Sequence, residues 1–199
     1  MAKDESCQAE YQQLKAGIHN LGLVVEADQQ KLLMDYLQLL NKWNRAFNLS
    51  GIRTISDMVD LHLLDSLSVS PYLQGRVILD IGSGAGLPGI PLAITHPEKQ
   101  FILLDSNGKK TRFLFQVKLA LGLDNVEVEN NRIEHYQSEG QIDIVTCRAF
   151  SSLANTVHLC RRFLAAGARL LAMKGRFLEQ ELTLPTEKLS GRQTPLPCP

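Results

Sequence analysis

Neither sign of charge dominates this sequence, because lysine plus arginine and aspartate plus glutamate both number 21 among its 199 residues. Bulk charge therefore does not single out a nucleic-acid-binding protein, although one basic face can bind phosphates at zero net charge. The basic residues that cluster in the second half are Lys109, Lys110, Arg112, Arg148, Arg161, Arg162, Arg169, Lys174 and Arg176. Both an RNA-binding surface and ordinary solvated helix faces are consistent with that cluster.

Cysteine and histidine are too scattered for a disulfide framework or a metal site. The four cysteines include no C-x-x-C pair, and the five histidines form no cluster with ligand spacing. No segment is apolar enough over a sufficient length to span a membrane, and the first residues do not resemble a signal peptide. We therefore expect a cytoplasmic protein that binds neither a metal nor a membrane. We also expect a monomer.

The most informative segment that is present is a glycine-rich loop after an apolar run. The run 77–81 is apolar except for Asp80, and the loop 82–86 has glycine at every second position. Pro88 then opens an apolar segment that continues through Leu92. This order predicts a buried strand, a tight turn that brings the backbone close to a ligand, and a helix. In an open parallel α/β sheet such a turn binds the cofactor.

Two acids bear on which cofactor the loop binds. A carboxylate at Asp80 would repel a pyrophosphate, whereas it attracts the sulfonium and ammonium groups of S-adenosylmethionine (SAM). Asp105 ends the next apolar run, where an acid is suited to the ribose hydroxyls of SAM or of NAD. Both have a structural alternative: Asp80 can bond the N–H groups of the turn, and Asp105, Ser106 or Asn107 can cap the next helix.

Hydrophobic periodicity divides the chain into a helical cap over 1–72, an α/β core over 73–177 and a tail over 178–199. The first stripe of the cap comprises Leu33, Leu37, Leu40, Trp43 or Asn44, and Phe47, with Tyr36 beside it. The second stripe, within a helix over 56–70 that Pro71 closes, comprises Met58, Val59, Leu63 and Leu67.

The core is predicted to alternate strands with helices. Strands are expected at 76–81, 100–105, 125–129, 141–147 and 168–173, and helices at 87–95, 108–121 and 152–165. This alternation predicts βαβ units and a parallel sheet. The proline-rich tail shows no strand pattern, and we expect it to be poorly ordered.

Several separated motifs resemble those of the ribosomal RNA small-subunit methyltransferase G family, also called glucose-inhibited division protein B. They are Trp43-Asn44 with Asn48-Leu49, His62-Leu63-Leu64-Asp65-Ser66-Leu67, Gly86-Leu87-Pro88-Gly89-Ile90-Pro91-Leu92, Leu104-Asp105-Ser106, Lys109-Lys110-Thr111-Arg112-Phe113-Leu114, Asn131-Arg132-Ile133-Glu134, Cys147-Arg148-Ala149-Phe150 and Lys174-Gly175. The resemblance covers roughly residues 30–177. The combination of Leu-Pro-Gly-Ile-Pro with Arg-Ala-Phe is much more specific than the glycine loop.

The resemblance implies a class I SAM-dependent methyltransferase fold with an N-terminal helical cap, acting on guanine N7 in 16S ribosomal RNA. It implies cofactor contacts from Gly82, Gly84, Gly86, Leu87, Asp105, Ile133, Glu134 and Arg148, which join Asp80 as candidate cofactor-binding residues. Within that set, the glycines and Leu87 would line the methionine end of SAM, Asp105 the ribose, and Ile133 with Glu134 the adenine. RNA contacts are expected from Lys109, Lys110, Arg112, Arg132 and Lys174. The family would continue with an apolar strand hairpin after Gly175, which this sequence does not show.

Arg148 is the candidate catalytic residue, because it follows a strand whose carboxyl end faces the ligand crevice. Its guanidinium could bond a phosphate or the O6/N7 edge of guanine, or instead form an ion pair with a strand-end acid. His62 and Asp65 are interpreted as a packing pair of the cap rather than a catalytic dyad.

The residues around Arg148 favour a ring-nitrogen target. Guanine N7 has a lone pair and no proton to lose, so transfer to it needs positioning but no general base. Thr146 stands where a cytosine-C5 methyltransferase would have proline before its nucleophile, so Cys147 is interpreted as a buried apolar residue. The Asn/Asp-Pro-Pro-aromatic motif of amino-group methyltransferases is missing from 147–150.

Three other functions remain open at this stage. They are a non-catalytic module that binds SAM or RNA, a methyltransferase of small molecules or proteins, and a nucleotide-dependent oxidoreductase.

Overall fold

Residues 2–174 are described by the computed structural model, with side chains from residue 8 onwards. The helices are α1 (Ala2–Asn20), α2 (Ala27–Phe47), α3 (Ile55–Met58), α4 (Asp65–Leu67), α5 (Gly89–Thr95), α6 (Gly108–Leu121) and α7 (Leu153–Ala165). The strands are β1 (Val77–Ile81), β2 (Gln100–Leu104), β3 (Val126–Glu129), β4 (Ile144–Arg148) and β5 (Arg169–Met173).

Helix α2 buries the stripe that its sequence predicts, with one error at its end. Leu33, Leu37, Leu40 and Tyr36 are completely buried. Phe47 was expected on the same stripe but is 46% exposed, because it is the last residue of the helix and lies beyond the packed turns. The helix ends where Asn48 adopts the left-handed conformation, with φ of 49°.

The segment predicted as one amphipathic helix over 56–70 is helical but not uniform. A π-helical turn, Val59–Leu64, separates α3 from α4. The predicted core residues Met58, Val59, Leu63 and Leu67 are all completely buried. Pro71 lies inside a short 3-10 helix, Ser70–Tyr72, because its fixed φ suits the first turn of a helix.

The five strands form one parallel sheet in the order β3-β2-β1-β4-β5. The chain runs from β1 outward through β2 to β3, then returns to the other side of β1 as β4. The order therefore reverses between β1 and β4, and sheets of this kind bind ligands at the carboxyl ends of the strands beside that reversal.

Each predicted strand is present, and the largest difference is at the start of β4. The sequence predicts a strand from residue 141, whereas β4 begins at Ile144. Asp143 immediately before it has another function: its Oδ2 oxygen accepts the backbone N–H groups of Arg76 and Val77 at 2.7 and 3.0 Å. These bonds fix the entry to β1 and hold the pKa of Asp143 below its usual value.

Side chains on the two faces of the sheet pack into two hydrophobic clusters. One face, which includes Ile78 and Leu103, packs against α5, α6 and the buried stripe of the cap. The other face, which includes Leu79 and Val145, packs against α7. Because the cap shares its hydrophobic cluster with the sheet, it is a structural part of the cofactor-binding side. The proposed division at residues 72 and 73 stays a prediction.

The predicted tail and the expected loss of a terminal hairpin concern residues 175–199, which lie outside the described residues. Within residues 2–174, β5 pairs with β4 and forms one edge of the sheet.

Candidate cofactor and RNA site

The turn between β1 and α5 is held by Asp80. Its Oδ2 oxygen accepts the Ser83 hydroxyl at 2.7 Å and the Gly89 backbone N–H at 3.1 Å. Glycine is required at position 89 because a Cβ atom there would lie 2.6 Å from Asp80 Oδ2. One of the two carboxylate oxygens of Asp80 therefore holds the turn, as its structural alternative predicts.

The second oxygen of Asp80, Oδ1, is buried and has no hydrogen-bond partner among the described residues. Complete burial raises the pKa of Asp80 from 3.8 to about 7, although the bonds from Ser83 and Gly89 and the charge of Arg148 oppose that rise. A cationic donor beside Oδ1 would satisfy this oxygen and favour the ionised form.

The loop after Asp80 has a backbone that only glycine adopts readily. Gly82, Gly84 and Gly86 have φ of 66°, 60° and 93°. At Gly82 a side chain is also excluded by space, because a Cβ atom would collide with the ring of Phe150. The loop can thus lie directly against the end of β4.

Asp105 joins the second strand to the same loop. Its Oδ2 oxygen accepts the Gly84 N–H at 2.9 Å, and its Oδ1 oxygen accepts the Asn107 N–H at 2.8 Å. The cap of α6 is Asn107, whose side chain accepts the Lys109 N–H at 2.9 Å. A carboxylate accepts up to about four hydrogen bonds, so Asp105 retains capacity for ribose hydroxyls.

A cavity of about 350 Å³ opens at the carboxyl ends of the strands beside this loop. The predicted site residues that line it are Gly82, Asp105, Lys110, Arg132, Ile133 and Glu134. The lining residues that had not been assigned to the site are Leu104, Ser106, Asn131, Ala149 and Phe150. All five belong to the quoted family motifs, which are the signal that could have found them.

Some predicted residues are placed outside the lining of this cavity. Gly84, Gly86 and Leu87 belong to the loop itself, and Lys109 is exposed on the first turn of α6. Arg112 lines a second cavity, on the side of α6 that faces α2. The Lys174 ammonium donates to the Ser151 carbonyl oxygen at 3.0 Å. The functions assigned to these residues stay predictions.

Arg148 connects the sheet to the cap. Its Nη1 atom donates to Asp65 Oδ2 at 3.0 Å and to the Leu61 carbonyl oxygen at 2.7 Å. The ion pair foreseen as its structural alternative is therefore present, but the acid belongs to the cap and not to a strand end. Its catalytic function stays a prediction, and its Nε donor makes no hydrogen bond with any described residue.

His62 and Asp65 contact Arg148 rather than forming a pair with each other. His62 Nε2 lies 2.7 Å from the Ser50 hydroxyl, and its Nδ1 lies 2.9 Å from the Leu61 carbonyl oxygen and 3.4 Å from Arg148 Nη2. Burial lowers the pKa of His62 below its usual value, so the imidazole is neutral at pH 7. This arrangement holds the cap against the end of β4.

Tyr36 is a site residue that sequence reasoning assigned only to packing. Its hydroxyl, completely buried, donates to the Ala85 carbonyl oxygen at 2.8 Å. Helix α2 thereby fixes the middle of the glycine loop. The position of Tyr36 on the apolar face of α2 does not indicate such a bond, because the acceptor lies 49 residues away in the sequence.

Cys147 does not have the properties of a nucleophile. It is buried in β4, and burial raises the pKa of its thiol to about 12. The thiol is therefore protonated at neutral pH.

The part of the chain that the structure describes contains neither a metal-ligand cluster nor a membrane-spanning helix. No three His, Cys, Asp or Glu side chains in this range come together as metal ligands would. None of the helices in the same range is both long enough and apolar enough to cross a membrane.

Comparison with solved structures agrees with the fold. A magnesium protoporphyrin IX methyltransferase from Synechocystis, crystallised with bound SAM, superimposes with a TM-score of 0.52 at 17% identity. The match covers 74% of this chain and 82% of that one. The expected class I methyltransferase fold is thus confirmed.

Comparison with known sequences gives the family. Ribosomal RNA small subunit methyltransferase G of Laribacter hongkongensis is 46% identical over 92% of this chain and 88% of its own length. The protein of the same name from Cellvibrio japonicus is 52% identical over 85% and 80%, respectively. The family model described as rRNA small subunit methyltransferase G matches residues 29–194. This match extends beyond residues 30–177, the range that the quoted motifs cover. This chain therefore belongs to the rRNA small subunit methyltransferase G family.

Proposed function

We propose that this chain transfers the methyl group of SAM to N7 of a guanine in 16S ribosomal RNA. Its substrate is the small ribosomal subunit or its RNA in the cytoplasm, and it acts as a monomer. Within the family, the observation that carries the proposal is the buried carboxylate of Asp80 beside the glycine loop, whose Oδ1 oxygen has no donor among the described residues. A carboxylate at that position attracts a cationic ligand, so it favours SAM over a dinucleotide.

The residues in and beside the cavity supply a group for each part of SAM. Asp80, which does not line the cavity itself, is assigned to the positive methionine end, and Gly82 of the glycine loop lines the cavity. Asp105 has remaining acceptor capacity for the ribose, and Ile133 with Glu134 lines the part of the cavity assigned to adenine. When bound, SAM supplies a methyl group activated by its positive sulfur.

The chain's own contribution to the reaction is positioning. Guanine N7 attacks through its lone pair and has no proton to remove, so no general base is required. The protonated thiol of Cys147 gives no covalent route through this side chain at neutral pH. The site therefore acts by aligning the guanine with the methyl group and by excluding water.

Arg148 and the surrounding cations are assigned to the RNA. Arg148 is held at the end of β4 by the cap, and its remaining donors suit a phosphate or the guanine edge. Lys110 and Arg132 lie at the cofactor cavity, while Lys109 and Arg112 are exposed on α6. Lys174, at the end of β5, completes the proposed phosphate contacts.

Transfer of a labelled methyl group from SAM to purified small subunits and to naked 16S RNA tests this function. We expect label in RNA, recovered as 7-methylguanosine after digestion and mass spectrometry of the nucleosides. Asp80→Asn should lower SAM affinity and transfer, whereas Asp124→Asn, which changes an exposed acid, should leave both unchanged. Tight SAM binding without transfer to either RNA, or label in another nucleoside, would refute the proposal.

A further inference from the structure

A second cavity, of about 420 Å³, is lined by the carboxyl-terminal part of α2, the side of α6 that faces it, and the end of β3. Its walls combine the rings of Trp43 and Phe115 with the polar side chains of Arg112, Gln116 and Asn130. No residue lines both this cavity and the cofactor cavity. The second cavity is therefore a separate site.

Phe115 is more exposed than packing requires, whereas Trp43 is half-buried with its ring centroid 5.6 Å from that of Phe113. Phe115 is 51% exposed although it lies in the middle of α6, whose other phenylalanine, Phe113, is completely buried. Phe47 is also exposed, and its ring centroid lies 5.1 Å from that of Trp43. Phe115 and the partly buried Trp43 give this cavity aromatic ring surface on which a base can stack.

The polar groups at the same site favour RNA over a protein or a lipid. Arg112 is exposed and forms no ion pair or side-chain hydrogen bond with any described residue, so its charge is available to a phosphate. Lys109 is exposed one turn earlier on the same helix. Aromatic rings next to free cations and amide groups bind unpaired nucleotides, because the rings stack on bases while the cations bind the backbone.

The two cavities are neighbours along the chain. Lys110 and Asn131 line the cofactor cavity, and the adjacent residues Thr111 and Asn130 line the second one. Asn130 also donates to the Asp105 carbonyl oxygen at 3.1 Å, which fixes the wall between them. The two cavities are thus adjacent, which brings the second one close to the RNA whose guanine lies beside the cofactor.

We infer that the second cavity is a stacking subsite for an unpaired nucleotide of the substrate RNA, outside the methylated guanine. Trp43 and Phe115 receive the base, and Arg112 binds the adjoining phosphate. The inference rests on the proposed function, since it assigns the subsite to the RNA that is methylated.

Trp43 provides a direct readout, because it is the only tryptophan of the chain. We expect a short single-stranded oligoadenylate to quench its fluorescence, and an abasic oligonucleotide with the same phosphates to quench it much less. Phe115→Ala should weaken oligoadenylate binding by about 5- to 150-fold, the range for loss of one stacked base. Phe115→Tyr should retain the affinity, because it keeps the ring.

Leu119→Ala is the matched control. Leu119 is 60% exposed on the same helix but does not line the cavity, so its loss should leave binding unchanged. Equal quenching by the abasic oligonucleotide would overturn the inference. So would equal losses of affinity in Phe115→Ala and Leu119→Ala, since they would indicate a general effect of apolar surface.

Methylation kinetics separate failure of the subsite from failure of the proposed function. The subsite predicts that Phe115→Ala raises the KM for RNA and leaves SAM affinity unchanged. If the wild-type chain methylates 16S RNA and Phe115→Ala has the same KM, the subsite is wrong and the function stands. If the wild-type chain binds SAM and oligoadenylate but transfers no methyl group to ribosomal RNA, the function is wrong.

Discussion

Replacing Asp80 with asparagine should stabilise the protein at neutral pH while it weakens cofactor binding. Burial raises the pKa of this carboxyl from 3.8 to about 7, so the native state prefers the protonated form. Between these values the unfolded chain ionises and the native state does not. Each pH unit in that window therefore lowers the free energy of unfolding by about 1.4 kcal/mol, to a total of about 4 kcal/mol.

The amide of Asp80→Asn does not titrate and escapes this penalty. Its oxygen can still accept from Ser83 and Gly89, although its N–H₂ group lacks an acceptor where Oδ1 now lies. That unmet donor offsets the gain by about 1–3 kcal/mol. The change with pH is consequently a sharper test than the absolute stability, because the offset is the same at every pH.

Urea unfolding of both proteins across pH 4 to 8 measures this change. The stability that protonated Asp80 gives the wild type is fully present below the unfolded pKa of 3.8. It is lost as the pH rises towards the folded pKa of about 7. The difference between the two proteins should therefore grow by about 1.4 kcal/mol per pH unit in the middle of that window, and level off above about pH 7. A difference that does not vary with pH would refute the reasoning, since it would mean that the buried carboxylate is ionised throughout.

The same titration predicts how SAM binding depends on pH. Only the ionised carboxylate attracts a cation, so affinity for the wild type should rise by up to about tenfold per pH unit as Asp80 ionises. The rise should level off above about pH 7, where Asp80 is ionised, and an α-ammonium group begins to lose its proton near pH 7.7. Calorimetric titration of Asp80→Asn should show no such rise in SAM affinity. An equal rise in both proteins would show that Asp80 does not bind the cofactor.

Three further substitutions test the contacts around the loop. Tyr36→Phe leaves a buried carbonyl of the glycine loop without its donor, and should lower the free energy of unfolding by about 1–3 kcal/mol in urea. Asp65→Asn breaks a partly exposed ion pair with Arg148, and should cost less than about 1 kcal/mol in the same assay but lower kcat at unchanged SAM affinity. Gly82→Ala should be more destabilising than Gly122→Ala by thermal melting, because both have φ near 65° but only the first meets an aromatic ring; equal losses would contradict the collision.

The parallel sheet could be predicted from the sequence because each of its determinants is local. Apolar runs such as 100–104 have the length and composition of buried strands, and helix α6 carries its own stop signal in Gly122. The π-helical turn, Val59–Leu64, could not be foreseen, because it adds one residue to a turn without changing which side chains are buried. Phe47 was misplaced because periodicity does not indicate where packing against a helix ends.

The candidate site could be predicted only as far as its residues are neighbours in sequence. Asp80 lies in β1 two residues before the glycine loop, and the motif around Ile133 lies at the cavity because β3 ends beside β2. The partner of Arg148 could not be found in this way, since Asp65 lies 83 residues earlier in another structural unit. Periodicity carries no information about a contact of that kind.

The contacts that were not predicted have a common consequence for the mechanism. Tyr36 and Asp65 both belong to the cap, and both bond to the cofactor side of the sheet, one at the glycine loop and the other at the end of β4. The cap therefore determines the shape of the site in addition to covering it. A change in the cap should alter SAM affinity through Tyr36 and RNA turnover through Asp65, and these two effects should be separable because the two bonds share no residue.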